Sequence, residues 1–171
     1  MIVDLLLDRD GTLIKDSGYI ASPDQIEFIS GALSGLKKFK SMNFRLHLVS
    51  NQSGVGRGII SMEQFLSVES EFESILKLNS IVLDSTNFCF HKPTDICTCR
   101  KPKIGLLTAI ESKFKIRKDF TGMIGNSKSD RETAGNFGIH YWNIDEEVED
   151  SFFLQSRLVM LHFERIRAEI A

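Results

Sequence analysis

Cysteine is scarce in this chain. Three occur in 171 residues, and all lie between Cys89 and Cys99. That is too few, and too clustered, for a disulfide framework. Long apolar runs are missing too: no stretch of about 18 consecutive apolar residues occurs, so no membrane span is expected. Positive charge is not in surplus. Lys and Arg number 21 against 23 Asp and Glu, a formal net charge of −2. A general nucleic-acid binder, usually basic along one face, is therefore not expected, while a small anion needs only local positive charge. The opening MIVDLLLDRD turns acidic at Asp4 and lacks the basic start of a secretory signal, so the expected setting is cytoplasmic and reducing. There are no internal repeats, low-complexity tracts or long linkers. Residues 1–171 are accordingly read as one domain, with 42% hydrophobic and 26% charged residues, ordinary for a globular chain with a real core.

What is present alternates between two periods. IVDLLL (2–7) reads as a buried strand, FRLHLVS (44–50) as a second, STNFCF (85–90), FTGMIG (120–125) and IHYWNI (139–144) as three more. Between them, Leu33, Leu36 and Phe39 recur at helical spacing. So do Phe65, Val68, Phe72 and Ile75, after a capping box at Ser61–Gln64. A helix is expected from Pro102, with Leu107, Ile110 and Phe114 in register, and another over 129–138, stopped by Gly138. The tail, about 151–170, reads as an amphipathic helix packed on its own domain by Phe152, Val159, Phe163, Ile166 and Ile170. A monomer is the expected state. The alternation implies an α/β fold, Rossmann-like, three layers (α/β/α) around a mainly parallel sheet, with no large cap domain. Ligands in such sheets bind beyond the carboxyl ends of the strands, where Asp8, Ser50 and Gly125 would meet.

LLLDRDGTL places Asp8 and Asp10 at the tip of the first strand, ahead of Gly11. An isolated D-x-D is usually a polar turn. After a hydrophobic strand and before Gly-Thr, it reads as a carboxylate pair. Two acids this close repel unless a cation screens them, and magnesium, a hard cation that accepts carboxylates and phosphate oxygens, suits the place.

CFHKPTDICTCRKP (89–102) holds Cys89, His91, Cys97 and Cys99. Two short clips, C-x-H and C-x-C, supply four ligands and leave no cysteine over. Cys3His is a common structural zinc set, and a coordinatively full site is structural rather than hydrolytic. So short a loop has almost no core, so metal binding would supply its folding energy. The loop would then fix Arg100 and Lys101 toward an anion.

DRDGTL, VSNQSG (49–54), the lysine of RKP and IGNSKSD (124–130), in that order, resemble the four motifs of the haloacid dehalogenase-like phosphohydrolases, over about residues 3 to 144. The resemblance implies a phosphoric monoester hydrolase in which Asp8 is the nucleophile and Asp10 the acid and base. Ser50 and Lys101 would hold the phosphoryl oxygens. The zinc loop, SGYI (17–20) and NQSGVGRG (51–58) are similar to the branch that contains heptose-bisphosphate and histidinol-phosphate phosphatases, the former favoured by GYI and GRG. In that branch Asp16, Ser17, Gly18, Tyr19, Asn51, Gln52, Ser53, Arg57, Arg100 and Ser127 would contact a small phosphorylated substrate. Magnesium would bind Asp8, Asp10 and position 126, with Asp130 as a further candidate. Two positions depart from the pattern. Asn126 stands where an Asp is usual, and Ser127 where a Lys is common. The resemblance thus implies weaker magnesium binding, and leaves open a phospho-ligand binder with reduced catalysis.

Overall fold

The computed structural model describes residues 2–170. Leu5, Leu6 and Leu7 form an unbroken apolar run, as a strand covered on both faces requires. They lie in β1 (Asp4–Leu7), the centre of a five-stranded sheet ordered β3-β2-β1-β4-β5. The other strands are β2 (Arg45–Asn51), β3 (Ser85–Cys89), β4 (Thr121–Gly125) and β5 (His140–Asn143), and every pairing is parallel. Leu7 pairs with Leu48 on one side and Ile124 on the other. The carboxyl ends of β1, β2 and β4 therefore open together.

The helices are α1 (Ala32–Ser41), the single turn α2 (Ser53–Gly56), α3 (Met62–Leu78), α4 (Gly105–Phe114), α5 (Lys128–Phe137) and α6 (Ser151–Ile170). Strand alternation sends Leu5 and Leu7 into one core with Phe39, Phe72, Phe152 and Phe163, from α1, α3 and α6. Leu6, Val49 and Met123 enter a second core with Leu107, Ile110 and Phe137, from α4 and α5. The expected three-layer α/β architecture is present.

Three details differ from expectation. The helix read from Pro102 begins at Gly105. The Lys103 amide bonds the Arg100 carbonyl (2.9 Å) and the Gly105 amide the Thr98 carbonyl (2.9 Å), so residues 98–105 are turns closing the cysteine loop. A Cβ at Gly105 would lie 2.5 Å from that Thr98 oxygen, which explains the glycine. Along α6, Phe152, Val159 and Phe163 are buried, but Ile170 is 61% exposed and does not join the buried stripe. A 3-10 turn at Pro23–Gln25 and α2 carry no long apolar period and were not legible. No described helix is long and apolar enough to cross a membrane.

Asp4 sits in the buried strand because its opposite neighbour answers it. Arg45, its register partner on β2, bonds both carboxylate oxygens (2.7 and 2.8 Å), and His47 Nε2 lies 2.9 Å from Oδ1. A charge taken out of water needs such pairing.

Candidate active site

Beyond the strand ends lies a cleft of about 220 Å³, lined by Asp8, Asp10, Ser50 and Lys101, with Tyr19, Gln52 and Asn126 among its walls. Gly11 (φ 74°) makes the turn that closes it. A Cβ there would stand 2.0 Å from Asn126 Nδ2, so only glycine lets the loops after β1 and β4 touch.

The two acids are each met by a separate buried cation. Lys101 Nζ lies 2.6 Å from Asp8 Oδ1, 2.6 Å from Asp130 Oδ1 and 2.8 Å from the Val49 carbonyl oxygen. Asp10 receives Arg9 through Nε (2.9 Å) and Nη2 (3.3 Å), and Gln52 Nε2 at 2.6 Å. The Asp8 carboxyl is raised to about 7: burial pushes it up most, Lys101 pulls against that, and Asp130 and Asp10 add to the rise. For Lys101 burial acts downward, but Asp8 and Asp130 outweigh it and hold the ammonium above its ordinary value. Gln52 also donates to Ser50 Oγ (2.9 Å), which leaves the serine hydroxyl proton free to point into the cleft. The Thr12 hydroxyl lies 3.4 Å from Asp8 Oδ2 and 3.5 Å from Asn126 Oδ1.

Several expected contacts are placed differently. Asn51 lines the cleft, but its amide clips the Lys101 backbone at both N–H (3.0 Å) and carbonyl (3.2 Å), so it positions the lysine. Asp130 is fully buried behind Lys101. Its Oδ2 accepts the Ser127 amide (3.0 Å) and hydroxyl (2.6 Å) in the capping box of α5, so both oxygens are committed and it does not line the cleft. Ser127 lines the cleft while capping that helix. Asp16, Gly18 and Ser53 line it as well; Ser17, Arg57 and Arg100 do not. Arg57 stands at the mouth, its Nη1 2.6 Å from Tyr19 Oη and its guanidinium over the Tyr19 ring. Arg100 reaches back to the His91 carbonyl (3.3 Å). Ile20, Ile60, Gly54 and Ser129 complete the lining and were not foreseen, being unremarkable in sequence.

The ligand atoms of Cys89, His91, Cys97 and Cys99 all lie within 4.8 Å of one another. Burial first, and then the Cys99 sulfur, push the Cys89 thiol up to about 12, while backbone hydrogen bonding from Arg100 lowers Cys97. Three sulfurs and an imidazole nitrogen this close together fit one divalent cation between them. The loop rests on α2: a Cβ at Gly56 would stand 2.0 Å from the Phe90 carbonyl oxygen.

Compared with known proteins, residues 5–147 match the model of the polynucleotide kinase 3 phosphatase family. The chain is 36% identical to the D-glycero-beta-D-manno-heptose-1,7-bisphosphate 7-phosphatase of Yersinia pestis, over 76% of this chain and 73% of that one. It is 32% identical to the histidine biosynthesis bifunctional protein of Legionella pneumophila, over 83% of this chain and 41% of that longer protein. The crystal structure of the D,D-heptose 1,7-bisphosphate phosphatase of B. bronchiseptica, complexed with magnesium and phosphate, superposes with a TM-score of 0.80 at 26% identity, covering 87% of this chain and 83% of that one. By sequence and by fold, the chain belongs to the haloacid dehalogenase-like phosphatases, enzymes that hydrolyse phosphate monoesters.

Proposed function

We propose that the protein is a magnesium-dependent phosphatase that removes the 7-phosphate of D-glycero-D-manno-heptose 1,7-bisphosphate through an aspartyl-phosphate on Asp8. The observation that carries this reading is the floor of the cleft, where Asp8 is held by Lys101, which the cysteine loop delivers. The relatives named above supply the substrate. Asp8, Asp10 and the Asn126 amide oxygen line the cleft together, a hard-oxygen set that suits magnesium. Bound there, the cation would screen the anionic phosphoryl group and the carboxylate from each other. Zinc would take Cys89, His91, Cys97 and Cys99 and hold the loop.

In the first half-reaction an Asp8 carboxylate oxygen bonds to phosphorus as the ester P–O bond breaks. Asp10, protonated, gives its proton to the leaving alkoxide. In the second, Asp10 takes a proton from water, the resulting hydroxide attacks phosphorus, and the P–O bond to Asp8 breaks, releasing phosphate. Lys101 and the Ser50 hydroxyl would hold the equatorial oxygens, where charge accumulates. Tyr19 and Arg57, joined across the mouth, would meet the sugar. The cleft is smaller than the usual range for small-molecule sites, about 300–1,000 Å³, so part of the substrate would extend past that mouth.

Two other readings have a specific basis. The Legionella relative keeps histidinol phosphate open as substrate. Asn126 removes one negative charge from the metal donors, which favours a phospho-ligand binder with slow turnover. The test is phosphate release from heptose bisphosphate, histidinol phosphate and a 3′-phosphorylated oligonucleotide, with and without magnesium. Preference for the first, abolished by Asp8→Asn, is expected. Release from none would leave the binder.

A further inference from the structure

Arg9, between the two acids, is among the largest fully buried side chains, only 2% exposed. Its backbone position turns it from the cleft toward α3. There Nη1 donates to Glu69 Oε2 (3.2 Å), and the guanidinium lies over the Phe65 ring, 5.9 Å from its centre. Glu69 and Phe65 are one helical turn apart, just after the capping box that starts α3. Phe65 is itself wedged edge-on against Phe88 and Phe90, 4.9 and 5.0 Å between ring centres.

An arginine present only to neutralise Glu69 would turn its fork to that carboxylate. Here the fork, Nε and Nη2, faces Asp10, and a single N–H goes to Glu69. Glu69 Oε1 is buried without a hydrogen-bond partner. With Gln52 on its other side, the Asp10 carboxylate is clamped in one orientation. We propose that Arg9 is a positioning residue for Asp10, with Glu69 and Phe65 on α3 as its anchor. The inference rests on the role given to Asp10 above. Asp10 must present one oxygen to the leaving group and then to water, and the fork keeps it there through both half-reactions. The guanidinium plane does this because two parallel bonds fix rotation as well as distance, which a lysine ammonium cannot do.

The test is steady-state and burst kinetics on heptose bisphosphate with saturating magnesium, with melting curves for each variant. Arg9→Lys keeps the charge and loses the fork. It should lower kcat by ~10–100-fold with KM within ~3-fold, as expected for a misplaced catalytic group. Glu69→Ala should lower kcat in the same way, and Glu69→Gln, which keeps one oxygen to accept from Arg9 Nη1, should recover most of it. If Arg9→Lys does not fold, the two Glu69 variants decide. Wild-type kcat in Arg9→Lys or Glu69→Ala, a defect in KM alone, or Glu69→Gln no better than Glu69→Ala would each overturn the inference. A wild-type protein that releases no phosphate would instead overturn the phosphatase mechanism, and this inference with it.

Discussion

Lys101 offers the sharpest test of how the site is held together. Lys101→Met keeps most of the stem and removes the ammonium. Asp8 and Asp130, each 2.6 Å from that nitrogen, then face one another with no cation, and the Val49 carbonyl loses its donor at 2.8 Å. Lys101 is 4% exposed and Asp130 fully buried, so water cannot replace the lost contacts. Breaking a buried ion pair from one side typically costs about 3–5 kcal/mol. For a chain of this size that is a fall of about 6–20 °C in melting temperature. The loss should depend on pH. Asp8, already raised to about 7, takes up a proton in mildly acidic buffer and relieves the repulsion. The penalty is therefore largest near pH 8 and smaller near pH 6. Adding Asp130→Asn removes the surplus charge and should recover part of the stability. Activity should fall ~10²–10³-fold, the usual cost of one donor to a developing anion. Melting curves at two pH values and phosphate release measure both. A drop below ~2 °C at pH 8, with kcat unchanged, would refute the account of a buried triad.

Three further outcomes follow from other parts of the molecule. Cys97→Ser, or chelation of the wild type, should abolish one bound zinc per chain, free the 89–102 loop to proteolysis and lower kcat at least ~tenfold, because Asn51 can no longer hold Lys101 in place; bound-metal analysis and limited proteolysis check this. Asn126→Asp should tighten magnesium binding by restoring a formal charge beside Gly11 and Thr12; equal affinities in a magnesium titration would contradict it. Glu69 governs a pH slope: burial, against the pull of Arg9, raises its carboxyl from 4.5 to about 7. Its folded-state value lies above the unfolded one, so its stabilisation is complete below pH 4.5 and is lost as pH rises through 7. That gap is worth about 3 kcal/mol. Glu69→Gln should flatten this part of the melting temperature against pH.

The strands were legible because their apolar runs are short and bounded, and the acid pair because it ends one of them. The cysteine loop was legible from spacing alone. What the sequence hid was partnership across the fold. Asn51 lines the cleft as expected, but that its amide also clips the Lys101 backbone is seen only in the fold. Asp130 reads as a metal ligand until Lys101 is seen consuming Oδ1. Arg9 looks like a spacer between acids, and Glu69 like a surface residue. A signal existed: Glu69 stands four residues after Phe65 and three before Phe72, inside the apolar stripe of α3, where a charge needs a buried partner. Asp4 carried the same signal within an apolar strand.

The central claim is that Asp8 bonds to phosphorus. Acid-quenched turnover of heptose bisphosphate, digested and read by mass spectrometry, should show one phosphoryl group on the peptide containing Asp8, accumulating further in Asp10→Asn and absent in Asp8→Asn. Phosphate release that proceeds with that peptide never modified, or that survives Asp8→Asn, would contradict it.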